Sequence, residues 1–333
     1  MMIKKAILFI TISFTISWAQ DKVGTSAAAF LNIPVGARAS AMGGAFVAIA
    51  NNSTATYWNP GGLSRVKQNE FTVNHMGWLV GSEKYFISAV YIIGNSAVGI
   101  SLNQLDYGEE EITTVANPEG TGERWGARDM AVGLSYAANL TDRFSIGGTM
   151  KYISLEIWHE HSSAYAVDIG LLFISQIKNI RIGMNIANFG GEMQMTGKDL
   201  MQPVDVDPGN AGNNENITAL FQTKQWPLPL IFSVGLAADP ISNTFGRWTI
   251  AVDALHPNNN NSYLNLGTEF SWKETLFLRT GYSSLFKSNA EEGLTLGFGV
   301  AQRLNNIFIG VDYCYIDMKR FGGLSKYSIS IGF

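Results

Sequence analysis

Four histidines, His75, His159, His161 and His256, are the first residues to weigh for metal chemistry. His159-Glu160-His161 would set both imidazoles on one side of an extended loop, but no third ligand stands near them. That spacing fits a solvated loop better than a metal centre. Asp205-Val206-Asp207 with Asn210 has an oxygen-rich, calcium-loop flavour, yet it lacks the EF-hand spacing and its closing Glu. Gly133-Leu134-Ser135-Tyr136-Ala137 misses a nucleophile elbow, because Ala137 replaces the last glycine and the run lies within a strand. Gly43-Gly44 belongs to neither GxGxxG nor GxxxxGK[ST], so it makes no phosphate loop. Lys151, Asp168, Arg181, Asp253, Glu269, Arg279 and Asp312 are of mixed sign, which fits interior ion pairs better than acid/base catalysts. The chain therefore does not read as an enzyme: no catalytic residue, cofactor or metal is expected.

The elements that carry these charges repeat with a period of two. Leu294, Leu296, Phe298 and Val300 alternate with Thr295, Gly297, Gly299 and Ala301. Ile307, Ile309, Val311, Tyr313 and Tyr315 alternate with Phe308, Gly310, Asp312, Cys314 and Ile316. Alternation of this kind marks strands with one apolar face. It predicts strands over 69–78, 83–93, 96–107, 128–138, 143–156, 163–174, 179–188, 229–237, 247–256, 262–272, 275–284, 292–302, 306–317 and 325–333, about 14 in all, most near the length of about 9–11 residues that a membrane-barrel strand needs. Strand 83–93 is apolar on both faces. Connections alternate too: short ones such as Gly94-Asn95 and Lys273-Glu274 oppose longer ones such as 108–127 and 189–228, the asymmetry of an outer-membrane barrel.

The seven charges above fall on the small or polar face. A Lys or Arg facing lipid at mid-depth costs roughly 2–4 kcal/mol, so that face is expected to point inward and the aliphatic face to meet lipid. A soluble sandwich would invert this, but the chain carries only 15% charged residues, against about 25% for an ordinary soluble domain. The net charge of -4 and the absence of a basic patch exclude a nucleic-acid partner. The single cysteine, Cys314, excludes an intrachain disulfide. Lys4 and Lys5, the apolar run Ala6 to Ile16 and Ser17-Trp18-Ala19 predict a signal peptide over 1–19, with Gln20 first in the mature chain.

Between signal and strands lies 20–68, whose core Pro34–Leu63 is rich in Gly and Ala and carries one charge, Arg38. The inward faces of the predicted strands are also small, with Gly99, Gly133, Gly147, Gly183, Gly235, Gly267, Gly281, Gly297 and Gly310. Space in the lumen and a compact low-charge segment predict a plug inside the barrel. Arg38 would pair with one of Asp168, Asp253, Glu269 or Asp312, and Asn59-Pro60-Gly61 would turn the chain out of the lumen. With an even number of strands, both termini are expected on the periplasmic side, and the plug is expected to enter from there.

Gly36-Ala37-Arg38-Ala39, Met42-Gly43-Gly44-Ala45 and Tyr57-Trp58-Asn59-Pro60-Gly61-Gly62-Leu63 resemble the N-terminal segment of the PorV/PorQ family of FadL-like outer-membrane barrels. Gly61 stands where Ala is common. Asn188-Phe189-Gly190-Gly191-Glu192-Met193, Gly197-Lys198-Asp199-Leu200 and Trp226-Pro227-Leu228-Pro229-Leu230 are similar to the same family across the long loop 189–228. There Met193, Met195, Lys198, Asp199, Met201 and Trp226 are the candidate contacts for a ligand or cargo, since Met adapts to apolar surfaces; equally, these Met residues fold the loop over the mouth. Tyr327, Ile329, Ile331 and the terminal Phe333 resemble the strand signal read by the outer-membrane assembly machinery.

The expectation is thus an all-β chain: one transmembrane antiparallel barrel over 69–333 with an N-terminal plug, in the outer membrane. The resemblance implies an accessory that binds exported proteins and other components of type IX secretion. The alternative it implies is a FadL-like transporter of small hydrophobic molecules. Lipid and assembly machinery are the partners expected on either reading.

Overall fold

The computed structural model describes residues 23–177, 180–207, 209–210 and 217–333. The expected signal peptide over 1–19 lies outside the described residues. A closed antiparallel barrel of 14 strands forms the molecule. In chain order these are β1 Glu70–Gly77, β2 Glu83–Ile93, β3 Ser96–Glu111, β4 Arg124–Asn139, β5 Phe144–Ile157, β6 Glu160–Ile174 and β7 Arg181–Gly190. They continue as β8 Ile231–Ser242, β9 Gly246–Pro257, β10 Tyr263–Trp272, β11 Leu276–Leu285, β12 Leu294–Leu304, β13 Ile307–Asp317 and β14 Gly323–Gly332. Each strand pairs with its neighbours in sequence, and β1 closes on β14 with Phe71 opposite Ile331 and Val73 opposite Ile329. Closure leaves no unpaired edge, the condition for strands to cross lipid.

The faces follow the alternation. Leu134, Tyr136, Met150, Leu278, Phe298 and Ile329 stand outward and exposed, while Asp168, Asp253 and Glu269 are fully buried on the inner face. In β2, apolar on both sides, Lys84, Phe86, Ser88 and Val90 turn inward. Several connections differ from expectation, among them the one between β8 and β9, which shrinks from 238–246 to 243–245. Strands β3 and β4 run on to pair Glu111 with Arg124, so the loop expected over 108–127 shrinks to 112–123. The β3 extension, Gly108-Glu109-Glu110-Glu111, is charged on both faces, and the β4 extension, Arg124-Trp125-Gly126-Ala127, has no apolar face, so neither continues the alternation. The loop expected over 157–162 is the two-residue turn Trp158-His159 between β5 and β6. The long connection between β7 and β8 contains a short pairing of Met193 with Trp226 and an exposed hairpin of Met201–Val204 with Ile217–Leu220.

Inside the ring lies the N-terminal segment, built from 3-10 turns Ala29–Asn32 and Pro60–Arg65 and two short helices, Ala37–Ala41 and Ala55–Trp58. The inward glycines are where it rests. A Cβ on Gly99 would meet Thr56, one on Gly147 Pro60, on Gly183 and Gly235 Val47, on Gly267 Met42, on Gly281 Gly43 and on Gly297 Ala41. Gly133 and Gly310 instead face neighbouring wall side chains.

The direction of the segment corrects one expectation. Residues 26–33 sit at the mouth carrying the long connections: Ala27 N donates to Pro227 O, and Phe30, Leu31 and Ile33 pack with Met76, Leu105, Met193 and Leu228. Arg65 reaches the other mouth, donating to the carbonyls of Thr141 and Asp142 in a short turn. Phe333 is there too, its N–H bonded to Asn69 O. The described chain therefore begins at the mouth opposite Phe333 and runs through the lumen end to end. Strand parity fixes only where β1 starts and β14 ends; it does not say from which side the preceding segment arrives. The turn at Asn59-Pro60-Gly61 likewise lies within the lumen against β5 and β6, and the chain leaves through 66–69.

Candidate functional site

The segment has too little regular structure to satisfy its own backbone, and buried backbone groups must find partners. Wall side chains supply them. Ser328 Oγ accepts from Ala37 N at 2.7 Å. Thr295 Oγ1 accepts from Gly43 N at 3.0 Å and donates to Ala41 O at 2.9 Å. Ser283 Oγ donates to Gly43 O at 2.9 Å. Asp253 Oδ2 takes two amides at once, Phe46 N at 2.7 Å and Val47 N at 2.8 Å. From the segment side, Asn59 Nδ2 donates to Val47 O at 2.8 Å and Leu171 O at 2.9 Å, while its Oδ1 accepts from Gly61 N at 3.0 Å. Gly61 rests on Gly170 and Leu63 is fully buried beside Gly99. Met42 is fully buried, and Gly36, Gly43 and Gly44 hold φ values of +79, +64 and +76°, conformations that favour glycine.

The charges expected in the lumen are brought together in pairs. Arg38 binds Glu269 through Nε–Oε2 at 2.9 Å and Nη2–Oε1 at 3.2 Å, so of the four acidic candidates Glu269 is its partner. Arg279 Nε also donates to Glu269 at 2.7 Å and its Nη1 to Asp312 at 2.5 Å. Lys151 Nζ lies 2.6 Å from Asp168 and 2.7 Å from Asn188 Oδ1. Arg181 pairs with Asp239 at 2.6 Å. The sequence reading passed over several contributors. Arg247, 3.2 Å from Glu269 and 2.9 Å from Glu274, lies near the start of β9 on the face of Thr249, Ala251 and Asp253, a period-two position that was the available signal. Lys84 Nζ donates to Phe30 O at 3.0 Å from the strand that gave no facing signal. Lys326 Nζ donates to Pro34 O and Ser40 Oγ, both at 2.6 Å; its period-two position in β14 was the available signal.

The candidate contacts in the long loop do not form one surface. Met193 is 2% exposed and packs into the barrel mouth with Phe30 and Leu228, whereas Met201 is 51% exposed on the outer hairpin. Met195 and Trp226 are half-buried at the loop's base, where Thr223 Oγ1 donates to Met195 O and Lys224 Nζ sits 4.5 Å from the Trp226 ring centre. Asp199 accepts or shares a hydrogen bond with His159 Nδ1 at 2.8 Å, and Lys198 is exposed beside it. Tyr327, Ile329 and Ile331 stand outward on β14, and Phe333 is exposed just past its end.

Two cavities flank the segment and share no lining residue. At the short-turn end, one of about 860 Å3 is bordered by Arg38, Arg181, Arg247, Arg279 and Arg303, with Glu70, Glu274 and Asp312 among them. Toward the long-loop end, one of about 260 Å3 lies between Leu31, Tyr57 and Trp58 of the segment and Asn185, Leu255 and Tyr263 of the wall. Glu292 borders it from the loop after β11; burial raises its carboxyl above the usual range, with Lys287 and Lys326 pulling the other way.

No curated protein matches the chain. Among solved structures, the CymD monoaromatic hydrocarbon channel aligns with a TM-score of 0.58 at 11% identity, over 90% of this chain and 98% of that one. The Ralstonia pickettii toluene transporter TbuX gives 0.53 at 14% identity, over 89% and 97%. The Pseudomonas putida toluene transporter TodX gives 0.53 at 13% identity, over 89% and 96%. At these identities the likeness is one of fold: an outer-membrane barrel of the same architecture. The family model of the type IX secretion system protein PorV matches residues 16–212, which take in the Gly/Ala-rich segment and the first half of the barrel. That is more than half of the sequence, and the chain belongs to the PorV family.

Proposed function

We propose that this outer-membrane barrel acts as an accessory of type IX secretion: a closed ring whose long-loop mouth faces the cell exterior and binds exported proteins, handing them to a surface-attachment step. The observation that carries this reading is the packing of the N-terminal segment. Its backbone meets the inward glycines of β5, β7, β8, β10 and β11, side chains of Thr56 and Ala41 meet those of β3 and β12, and the cavities on its two sides share no residue. A transporter needs a continuous path, while a docking protein needs a rigid, sealed base under its loops. The segment then serves as a plug, and β14 with Phe333 is read by the assembly machinery from the periplasmic side.

The second reading is a carrier of small hydrophobic molecules. What favours it is the fold shared with the hydrocarbon channels. Affinity purification from the native membrane separates the two. Secretion components and exported proteins held by the wild-type chain support the first; lipid-like ligands with no such proteins overturn it in favour of the second.

A further inference from the structure

The cavity toward the long-loop end is small and partly polar. Its volume is about 260 Å3, below the range of roughly 300–1,000 Å3 that suits drug-sized ligands. Two amide oxygens of residues that line it, Asn185 Oδ1 and Asn32 Oδ1, are buried without a hydrogen-bond partner. Asn185 is only 5% exposed, fixed on β7 in the wall, whereas Asn32 comes from the segment, so the two acceptors belong to separate elements. Buried polar groups in native proteins are nearly always paired, and an orphan acceptor is costly. A ligand with hydrogen-bond donors would complete both.

The aromatic surface of the site points the same way. Tyr57 and Trp58 pack edge to face with ring centres 5.1 Å apart at 78°. Their own polar atoms are already used, Trp58 Nε1 on Val35 O at 3.0 Å and Tyr57 OH on Leu31 O at 2.9 Å. What they present is therefore ring surface, suited to a C–H face. Charge argues for a neutral guest. Lys151 is held by Asp168 and Asn188, and Lys287 and Glu292, of opposite sign, both border the cavity. A third cavity, of about 460 Å3, shares Trp78, Asn260, Ser284, Lys287 and Glu292 with this one and is bordered by exposed Val23 and Phe321 at the long-loop mouth, which gives a way in.

We propose that this cavity binds a neutral, hydroxyl-rich small molecule of monosaccharide size. It reaches the site from the long-loop mouth, donates hydroxyl hydrogens to Asn185 and Asn32, and lays a C–H face against the Trp58 and Tyr57 rings. The site stands independently of the secretion role, since binding here needs no exported protein.

Equilibrium dialysis and saturation-transfer NMR on the full chain in detergent test this, with glucose, galactose, mannose and N-acetylglucosamine as probes and toluene as the apolar control. At least one sugar is expected to bind saturably with a millimolar or tighter Kd. Asn185→Leu and Asn32→Leu should each weaken it by about tenfold or more, the loss of one well-made hydrogen bond in a closed site. Arg303→Ala, in the other cavity, should leave it unchanged. Asn185→Ala serves if the Leu variant fails to assemble, as judged by heat-modifiable mobility. Three results overturn the proposal: no sugar of the four binds, which leaves a water-filled cavity; a sugar binds equally well to both Asn185 variants; or toluene binds saturably and more tightly once Asn185 is Leu.

Discussion

Gly43 of the segment lies flat against Gly281 of β11: a Cβ on Gly281 would collide with the Gly43 nitrogen, and one on Gly43 would sit 2.6 Å from the Tyr282 nitrogen and 2.7 Å from the Leu266 carbonyl oxygen. Gly43 also holds a φ of +64°. Any side chain here meets both a conformational penalty of about 1–2 kcal/mol and an overpacking penalty of about 1–3 kcal/mol. Gly43→Val should therefore lower stability by about 2–5 kcal/mol, read as an earlier loss of the heat-modifiable band on warming. A variant that melts with the wild type would mean that the contact between segment and wall is looser than drawn.

Arg38 is the segment's only charge between Pro34 and Leu63, and its partner Glu269 is fully buried. Arg279 and Arg247 remain on Glu269 when Arg38 is lost. Arg38→Leu should thus cost a moderate amount, about 1–3 kcal/mol. Arg38→Glu, which sets a second carboxylate against the first, should cost more. In planar bilayers the order of opening events should be wild type, then Leu, then Glu. Equal, closed behaviour in all three would remove the ion pair from the mechanism that seals the lumen.

Removing residues 34–58 should turn a silent barrel into one with a large steady conductance. The deletion takes away the groups that rest on Gly183, Gly235, Gly267, Gly281 and Gly297 and leaves those walls facing open space. A correctly folded deletion variant that still carries no current would show that another element closes the ring.

Much of this was legible in the residues. The strict alternation of Leu294 to Ala301 gave both the strand and the face it turns to lipid, because a barrel wall has only two sides and one of them is hydrocarbon. Small inward residues forecast an occupied lumen, and charge balance narrowed the partner of Arg38 to four carboxylates that included Glu269. Other features left no local trace. Met193 looks like Met201 in sequence, yet one is in the core and the other in solvent, because the difference is made by Phe30 and Leu228 arriving from elsewhere. The strands β3 and β4 outlast their alternation, since Glu109, Glu110 and Glu111 put charge on both faces and leave no apolar side to mark. The direction of the segment is a matter of topology, on which no single residue bears.

The base of the long loop is tied by Gln194 Nε2 to Thr223 O at 2.6 Å and Thr223 Oγ1 to Met195 O at 2.6 Å. Replacing 198–221 with a short Gly/Ser linker keeps these bonds and the buried Met193. Barrel assembly should be unaffected, while recovery of exported proteins with the variant should fall to background. Undiminished recovery would take the outer hairpin out of cargo binding.

Phe333 stands exposed at the end of β14, with its N–H closing onto Asn69 O at 2.9 Å. Deleting it should lower the amount of heat-modifiable protein extracted from the outer membrane, with the remainder found unfolded. Wild-type yield from the deletion strain would show that Tyr327, Ile329 and Ile331 suffice for recognition.

The passage of residues 26–66 from one mouth to the other also bears on how the molecule can be made. A cord through a closed hoop is either pulled in afterwards by its free end or present before the hoop is joined. The hoop here has a single join, where Phe71 meets Ile331, and the cord continues directly into the strand on one side of it. The course that requires no pulling is for the unjoined wall to wrap around the cord and fasten along that join last. On that course the Gly- and Ala-rich stretch is the mandrel on which the barrel is rolled, and its fit to each wall glycine sets the circumference at which the two ends meet.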